Sequence, residues 1–504
     1  MNYEAREFTL SDGGPTIAPA CRERFPIGSQ AFDAHGRQRH LLMLGGSLLQ
    51  LPAIRMAREE GWKIILADGN ANVLARPWVD HFELVDLKDR EAMLAMARRW
   101  HGRGELHGVF TAGTDFSATV AFVTEALGLP GIPFESALNA SSKLRMRRIF
   151  KANGVPSPDF VEIEGNAVPD LAAIRRLQLP VVVKPIDNMG ARGVRRLDAW
   201  DDLEPALAEA RGFSRQGTVI VEEFITGPEY SIDSLVVDGR LVPCGLALRH
   251  IKFPPFFVEV GHTLPSDLDP AGANALVAVF ERAVKVLGIT TGAAKGDVFM
   301  TSRGPMIGEI AARLSGGYMS GWTFPLASGL ELTRAGLYLA MGLPLPSLEP
   351  VHNQVATERA VISIPGVAAA WENLEKALAP AAVRHFFSRV KPGDRLVFPR
   401  NNVEKAANVI SVADDVLAAS AAGEGAVAAI LLRLAPNQAD TDAFLFHPAP
   451  AQHPAYPGLA GHLPATGSIV GDLAWLRGKP ELLAEKDWCW RSLNDSLVWL
   501  EAHG

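Results

Sequence analysis

Apolar and polar positions alternate along the first part of the chain in a way that predicts strands followed by helices. The apolar run 41–44 leads into a glycine turn, and an amphipathic stretch continues from there to Glu60. Two further apolar runs, 63–67 and 108–111, each precede another helical pattern. Strands that alternate with helices predict a parallel α/β sheet, whose ligand crevice lies at the carboxyl ends of the strands.

The pattern changes after about Pro133. Between Leu179 and Asp233 the order becomes strand, glycine-rich turn, strand, helix and strand, and further strands are expected around 361–364, 395–398 and 409–412. We therefore expect a multidomain fold with α/β and α+β parts. The expected divisions are an N-terminal extension at 1–39, a Rossmann-like domain at 40–135, a central domain at 136–341 with a glycine-loop subdomain at about 155–226, a C-terminal α+β domain at 342–436, and an extension containing Pro, His and Trp at 437–504.

Composition narrows the classes of partner. The chain has 504 residues, of which 48% are hydrophobic and 21% charged, as is typical of globular domains. Its net charge of −7 disfavours binding to nucleic acid or to an anionic membrane. Cys21, Cys244 and Cys489 are far apart, so neither a disulfide framework nor a zinc ribbon is supported. Because no apolar run approaches the ~20 residues of a membrane span, we expect a cytoplasmic protein.

A glycine-containing loop is the first candidate for chemistry. A buried strand ends near Lys184, and a loop with Asn188, Gly190 and Gly193 leads into a returning strand. Backbone N–H groups in such a loop can bind phosphate, and a lysine at the strand end adds a positive charge. An ordinary glycine hairpin has the same pattern and is the alternative. Standard P-loop and dinucleotide-binding motifs are absent, so a phosphate site has to be built in another way.

Three carboxylates follow this loop. In the run 218–225, Glu222 and Glu223 point to opposite faces of a predicted strand, so one of them is expected to face a ligand. Glu229 lies nearby and is a candidate for contacts with the hydroxyl groups of a ribose. Solvated carboxylates at a strand end are the alternative for these residues.

Two acids further along the chain predict a metal site. The sequence from Lys295 to Arg313 predicts a β-hairpin centred near Arg303, in which Asp297 and Glu309 face one another with Cβ atoms ~5 Å apart. Like charges this close destabilise a hairpin unless a cation lies between them, so the pair predicts a Mg²⁺ site. Arg313 lies on the same strand face as Glu309, where it can hold a phosphate or an oxyanion. An exposed hairpin with coincidental acids is the alternative.

Read together, these residues and Lys143 resemble the ATP-grasp ligase superfamily in order and spacing over about residues 40–435. The resemblance implies an ATP-grasp fold with an N-terminal Rossmann-like domain and a lid-like C-terminal domain. It implies that Asp297 and Glu309 hold Mg²⁺, with Mn²⁺ as an alternative ion. The nucleotide contacts that it implies are Lys143 and Lys184 for the ATP phosphates, the 187–194 loop above them, Glu222, Glu223 and Ile225 for adenine, and Glu229 for ribose.

A narrower likeness concerns the substrates. The segments 257–265 and 313–317 resemble the L-amino acid ligase branch of the superfamily. This likeness implies that the substrates lie among Glu259, His262, Gly316 and Gly317. Glu259 can hold an ammonium group, Arg313 can hold an acyl phosphate, and the two glycines allow a carboxylate to approach the backbone closely. A loop histidine satisfied by the backbone is the alternative for His262.

The expected function is therefore an ATP-dependent carboxylate–amine ligase acting on small molecules, with amino acids as substrates and with Arg313 and Lys184 as the catalytic residues. It would form an acyl phosphate and release ADP and phosphate. An ATP-grasp carboxylase or carbamoyl-phosphate-type enzyme is one alternative. An ATP-binding regulatory protein without turnover is another, because Ala311 stands where many members of the superfamily have Asn. A homodimer is an assembly that the sequence allows.

Overall fold

The computed structural model describes residues 28, 30–165, 167–435 and 438–446. Most of the two expected extensions, with Cys21 and Cys489, therefore lies outside the described residues. Within these ranges, no helix has the length and the apolar composition needed to cross a membrane.

Helices and strands alternate in the N-terminal part, and strands dominate the rest of the described chain. The strands are β1 (His40–Leu44), β2 (Lys63–Asp68), β3 (His81–Leu84), β4 (Gly108–Phe110), β5 (Phe160–Ile163), β6 (Val181–Pro185), β7 (Arg195–Leu197), β8 (Val219–Glu223), β9 (Glu229–Val237), β10 (Arg240–Lys252), β11 (Val258–Leu264), β12 (Gly292–Thr301), β13 (Gly304–Ala311), β14 (Val355–Val361), β15 (Gly366–Glu372), β16 (Val383–Ser388), β17 (Arg395–Leu396), β18 (Ala407–Ala413) and β19 (Leu431–Leu434). The α-helices are α1 (Leu51–Glu59), α2 (Arg90–Gly102), α3 (Ser117–Leu127), α4 (Phe134–Ser141), α5 (Lys143–Ala152), α6 (Leu171–Arg175), α7 (Leu203–Phe213), α8 (Pro270–Val286), α9 (Phe324–Ser328), α10 (Leu332–Ala340), α11 (Leu374–Ala377), α12 (Val416–Ala429) and α13 (Ala439–Phe446).

The chain divides into two compact units, each built from three segments. The first unit consists of the residues up to Pro158, Ile225–Leu248 and Leu264–Gln354. The second unit consists of Asp159–Phe224, Arg249–Thr263 and the residues from Val355 onward. The domain boundaries expected from the sequence stay predictions.

The first unit begins with a parallel sheet in the order β3-β2-β1-β4, as the alternating pattern predicts. Strands β1, β2 and β4 lie at the predicted runs. Helices follow β1 and β4, and Asp89 begins α2 by accepting a hydrogen bond from the Ala92 N–H at 3.0 Å. Apolar residues of β1 and β2 pack against Met93, Met96 and Trp100 of α2, so one face of the sheet is covered by this helix.

The first unit also contains antiparallel pairings in the order β13-β12-β9-β10. Helix α8 covers one face, since Leu276 and Phe280 are buried against Ile232, Val298 and Ile310 of the strands. Helix α5 contributes to the same core. The strands are therefore fixed on one face by apolar packing, and their polar residues are directed elsewhere.

The second unit contains an antiparallel sheet in the order β5-β8-β6-β7, with α6 and α7 packed against it. Its C-terminal part pairs β14 with β18 and β18 with β16, beside a small sheet in the order β17-β15-β19. A core of aliphatic and aromatic residues that includes Val258, Val260 and Val409 joins these strands to α12.

One strand lies elsewhere than the sequence pattern indicates. The apolar run at 361–364 predicts a strand there, but β14 occupies Val355–Val361 instead. The reason is that β14 is buried at every position and yet contains Thr357, Glu358 and Arg359. Three consecutive polar residues conceal a buried strand, because partners from elsewhere in the fold compensate their polarity.

Candidate active site

The β12–β13 hairpin of the first unit brings the two predicted metal acids together. Asp297 of β12 faces Glu309 of β13 in the ladder, which confirms the predicted register. The turn itself is centred between residues 302 and 303 rather than at Arg303, because Thr301 pairs with Gly304. A bulge next to Gly308 adds one residue to β13 and restores the predicted pairing. We call this element, with Asp297 and Glu309, the acidic hairpin.

Lysines compensate the charge of the acidic hairpin. Lys143, the first residue of α5, places its Nζ 2.9 Å from Glu309 Oε1. Lys295 forms an ion pair with Asp297, and the Ser231 hydroxyl donates to Asp297 Oδ1 at 3.3 Å. Asp297 is buried, whereas the Glu309 side chain is 44% exposed. An ammonium group next to each acid is compatible with a site that handles phosphate, because phosphate oxygens can replace the carboxylates as partners of the lysines.

The donor set of the hairpin fits Mg²⁺. Two carboxylates on facing strand positions supply hard oxygen ligands, and magnesium sites of this kind are completed by water and by substrate phosphates. Ala311 pairs with Lys295 in the ladder and supplies no side-chain oxygen. Asp297 and Glu309 are thus the residues of the first unit that would hold the ion.

A buried carboxylate that the sequence analysis missed supports the loop after the hairpin. Asp233 of β9 is fully buried and accepts hydrogen bonds from the Ser315 N–H, at 2.9 Å, and the Ser315 hydroxyl. Burial raises the pKa of Asp233, against the effect of these hydrogen bonds. The sequence does contain a signal, because an acid in the apolar run 230–237 needs a partner. Asp233 fixes the loop that contains Arg313, Gly316 and Gly317.

Arg313 itself lies beside a loop of the N-terminal sheet. Its guanidinium is 3.6 Å from Asp115 Oδ1, and the side chain lines a mostly apolar cavity of about 60 Å³. Gly316 approaches the same loop so closely that a Cβ there would lie 3.3 Å from the Gly113 carbonyl oxygen. Packing within the first unit is therefore enough to explain a glycine at this position.

Two residues predicted to contact adenosine also belong to the first unit. Glu229 starts β9, is partly buried, and pairs with Phe299 of β12 in the ladder. Ile225 is buried. Their roles towards a nucleotide stay predictions.

In the second unit, Lys184 and Glu222 form an ion pair across the β6–β8 ladder. Both side chains are largely buried, and Glu223 on the opposite face is half-buried. The alternation of Glu222 and Glu223 is as predicted. The sequence places the lysine at the end of β6, next to the loop 187–194.

The loop 187–194 is held by contacts that use its glycines. Gly190 and Gly193 both have φ near +70°, a conformation that favours glycine. A Cβ at Gly193 would lie 2.8 Å from the Phe213 ring, and the Asn188 side-chain amide donates to the Phe213 carbonyl oxygen at 2.9 Å. The Gly190 carbonyl oxygen accepts a hydrogen bond from the Asn402 N–H at 2.9 Å. The loop is thus anchored to α7 and to the C-terminal part of the second unit.

Glu259 and His262 lie in a buried group of charges that we call the ion-pair cluster, formed by Arg249, Glu259, His262, Glu358 and Lys405. Arg249 Nε donates to Glu259 Oε2 at 2.9 Å, and His262 Nε2 lies 3.4 Å from the same oxygen. The other ring nitrogen of His262, Nδ1, is 2.8 Å from Glu358 Oε2. Lys405 Nζ is 3.7 Å from Glu358 Oε1.

The electrostatics of the cluster favour its charged forms. Burial opposes ionisation of Glu259, yet the charges of His262 and Arg249 hold the pKa of this carboxyl well below its usual range. Burial likewise opposes protonation of His262, but Glu259 and Glu358 raise the pKa of the imidazole to about 9. His262 is therefore not the backbone-satisfied loop histidine of the alternative interpretation.

The cluster also brings three metal-ligating side chains together, since ligand atoms of Glu259, His262 and Glu358 lie within 4.8 Å of one another. Arg249 and Lys405 already provide positive charge at these carboxylates. A metal ion would compete with both cations, so we assign no metal here. Sequence analysis missed Arg249, Glu358 and Lys405. The signal available for Arg249 and Glu358 was a charged residue inside a strand, whereas Lys405 lies in the segment before β18 and has no such signal.

Comparison with known proteins agrees with this architecture. Residues 140–317 match the model of the ATP-grasp domain, and residues 360–435 match the model of the L-amino acid ligase C-terminal domain 2. The solved structure of L-amino acid ligase from Bacillus licheniformis is similar with a TM-score of 0.68 at 23% identity, covering 79% of this chain and 99% of that one. A likeness at this level of identity shows the fold.

Curated relatives agree as well. The L-arginine-specific L-amino acid ligase of Bacillus subtilis is 27% identical over 253 residues, which are 48% of this chain and 60% of that protein. Carnosine synthase 1 of Mus musculus is 26% identical over 340 residues, 62% of this chain and 41% of that protein. The chain thus spans less than two thirds of the length of either relative. The chain therefore contains an ATP-grasp domain at 140–317 and a domain of the L-amino acid ligase C-terminal type at 360–435.

Proposed function

We propose that this protein is an ATP-dependent ligase that joins the carboxylate of one amino acid to the amine of another. The observation that carries the proposal is the acidic hairpin, in which Asp297 faces Glu309 and a lysine contacts each acid. The L-amino acid ligase type of the C-terminal domain supports amino acids as substrates.

In the proposed reaction, a carboxylate oxygen attacks the γ-phosphorus of ATP and ADP leaves. The amine nitrogen of the second substrate then attacks the carbonyl carbon of the acyl phosphate, phosphate leaves, and the nitrogen loses a proton. Mg²⁺ held by Asp297 and Glu309 would offset the charge of the nucleotide phosphates. Lys143 and Lys184 would bind these phosphates.

Other residues of the chain would bind and orient the substrates. Arg313 would hold the acyl phosphate, and the cavity beside it would accept a small apolar side chain. Glu259 would bind the ammonium group of an amino acid. The contacts proposed for the nucleoside are those of Glu222, Glu223, Ile225 and Glu229, with the loop 187–194, including Asn188, Gly190 and Gly193, above the phosphates.

A screen of amino-acid pairs with ATP and Mg²⁺ tests the proposal. Nucleotides are separated by chromatography, and products are weighed by mass spectrometry. We expect ADP and product in equal amounts, with the product mass equal to that of the two amino acids less one water. Release of AMP and pyrophosphate would contradict the acyl-phosphate route.

Two further outcomes would favour the alternatives. A product that appears only with bicarbonate would identify a carboxylase or a carbamoyl-phosphate-type enzyme. Tight ATP binding without ADP release for any pair would identify a regulatory protein, the alternative that Ala311 supports.

A further inference from the structure

Glu358 occupies the middle of β14, where every residue is buried, and its own side chain has no exposed surface. Its two oxygens have different partners. Oε2 is 2.8 Å from His262 Nδ1, whereas Oε1 accepts from the Asn408 side-chain amide and lies 3.7 Å from Lys405 Nζ. A buried carboxylate with this arrangement is stable only while its partners remain cationic or donating.

The position of His262 follows from Glu358. With Nδ1 held by Glu358, the opposite ring nitrogen points at Glu259 Oε2 at 3.4 Å. Arg359, the neighbour of Glu358, donates to the His262 carbonyl oxygen at 2.8 Å and so fixes the backbone as well. A carboxylate behind a functional imidazole sets its protonation and its orientation, as in other sites where one ring nitrogen binds an acid.

Glu259 shows what this arrangement leaves for a ligand. Arg249 and His262 both contact Oε2, and the Glu259 N–H donates to Asn402 Oδ1 at 2.8 Å. Within the described ranges, the contacts made by this side chain are confined to Oε2. Among the described residues the second oxygen, Oε1, thus has no hydrogen-bond partner, and 10% of the side-chain surface is exposed.

We propose that Glu358 is a positioning residue for the amino substrate, because it holds His262 so that the imidazole binds one oxygen of Glu259 and leaves the other to the substrate ammonium. The inference rests on the proposed ligase function. It gives a residue of the C-terminal domain a role in substrate binding. Glu358 is fully buried and does not contact the substrate, so it acts through His262 and Glu259.

The charges around the imidazole set the direction of the expected effect. Glu259 and Glu358 face the ring, while Arg249 and Lys405 contact these carboxylates. Arg359 donates to the carbonyl oxygen of His262, and its Nε is 3.4 Å from Glu424 Oε1. Removal of the Glu358 charge leaves Glu259 as the one carboxylate that faces the ring, so the imidazolium form loses one of its two anionic partners.

Titration of His262 tests the first step directly. Proteins labelled with ¹³C in the histidine rings are followed by NMR between about pH 5 and about pH 10, a range that includes the ordinary histidine pKa and the raised one. The variant His262→Asn identifies the signal. We expect Glu358→Gln to lower the pKa of His262 by about one unit or more. Glu424→Gln is the matched control, since it removes a nearby carboxylate that does not face the ring. An unchanged pKa in Glu358→Gln would overturn the proposal.

Substrate kinetics test the second step, with an amino-acid pair that the screen identifies. We expect Glu358→Gln to raise KM for the amine about tenfold or more, leave KM for ATP within about twofold, and move the alkaline limb of the pH profile to lower pH. If wild type turns over and Glu358→Gln has the same KM for the amine, the proposal for Glu358 is wrong. If no pair supports ADP release by the wild type, the proposed function fails, and the positioning role fails with it.

A second variant separates positioning from folding. Glu358→Gln leaves Lys405 buried without its carboxylate, so the single variant can be unstable. The double variant Glu358→Gln with Lys405→Met removes this charge, and Lys405→Met alone is its reference. Compared with Lys405→Met alone, we expect the double variant to have a lower pKa of His262 and a higher KM for the amine. Equal values in the two proteins would overturn the proposal.

Discussion

The acidic hairpin and the ion-pair cluster both neutralise carboxylates with cations, but they are assembled differently. In the hairpin, Asp297 and Glu309 are brought together by one local turn, and Glu309 is partly exposed. In the cluster, His262 and Glu358 are 96 positions apart in the chain and both are buried. A local pair in which one acid is exposed can exchange its partners for a ligand, whereas a buried pair built from distant segments also contributes to the stability of the fold.

The largest effect is expected from the hairpin. Glu309→Gln should lower Mg²⁺-dependent ADP release at least about 100-fold, because an amide oxygen is neutral and binds the ion weakly. The melting temperature should change little, since the Glu309 side chain is 44% exposed. Chromatography of the nucleotides and calorimetry measure the two effects. Glu281→Gln, an exposed acid on α8, is the control, and undiminished turnover in Glu309→Gln would remove the metal assignment.

A larger effect on stability than on activity is expected for Arg359, which lies next to the ion-pair cluster. Arg359 is buried and donates to the His262 carbonyl oxygen, the Thr263 hydroxyl and the Ser420 hydroxyl. Arg359→Met should lower the free energy of unfolding by about 3 kcal/mol, because buried polar groups lose their partner. Urea unfolding measures the change.

The control for this substitution is a surface pair of the same unit. Arg433 is 3.3 Å from Glu372, and both side chains are about one-third exposed. Arg433→Met should cost less than about 1 kcal/mol, because water screens the pair. Equal costs at Arg359 and Arg433 would show that the buried arginine next to the cluster stabilises the fold no more than an exposed ion pair does.

The cluster should also make stability depend on pH. Because the pKa of His262 is raised to about 9 in the folded state, its contribution is fully present below the ordinary value and is lost as the pH rises through about 9. We expect the free energy of unfolding to fall by roughly 3 kcal/mol from this group between the ordinary histidine pKa and a pH above the raised one. Urea unfolding at both ends of the interval should show a smaller fall in His262→Gln than in the wild type. Identical falls would contradict the charged state of His262.

The smallest effect concerns the bulge of the hairpin. A Cβ at Gly308 would lie 2.7 Å from the Phe299 ring and 3.1 Å from the Asp297 carbonyl oxygen. Gly308→Ala should therefore cost about 1 kcal/mol and weaken metal-dependent activity by disturbing Asp297. Gly102→Ala, where nothing lies within 4 Å of the added Cβ, should be neutral in the same thermal melts. Indifference at both positions would show that the bulge tolerates a side chain.

Sequence reasoning predicts the hairpin well because its register depends on a few neighbouring residues. The assumed centre near Arg303 and the true turn differ, yet Gly308 compensates for the difference and Asp297 still faces Glu309. The cluster is different. Glu259 and His262 are visible in the sequence, but Glu358 lies in a strand whose polar run hides it, and only the three-dimensional pairing of distant segments brings it to His262.

The interleaving of segments in the second unit limits how the protein can be cut or recombined. The match to the ATP-grasp domain ends at residue 317, before β14 begins. A recombinant fragment that stops there would keep His262 and lose Glu358, leaving a buried half of an ion pair without its counter-charge. For the same reason, a chimaera that exchanges the C-terminal domain would have to take both 249–263 and 355–413 from the same parent.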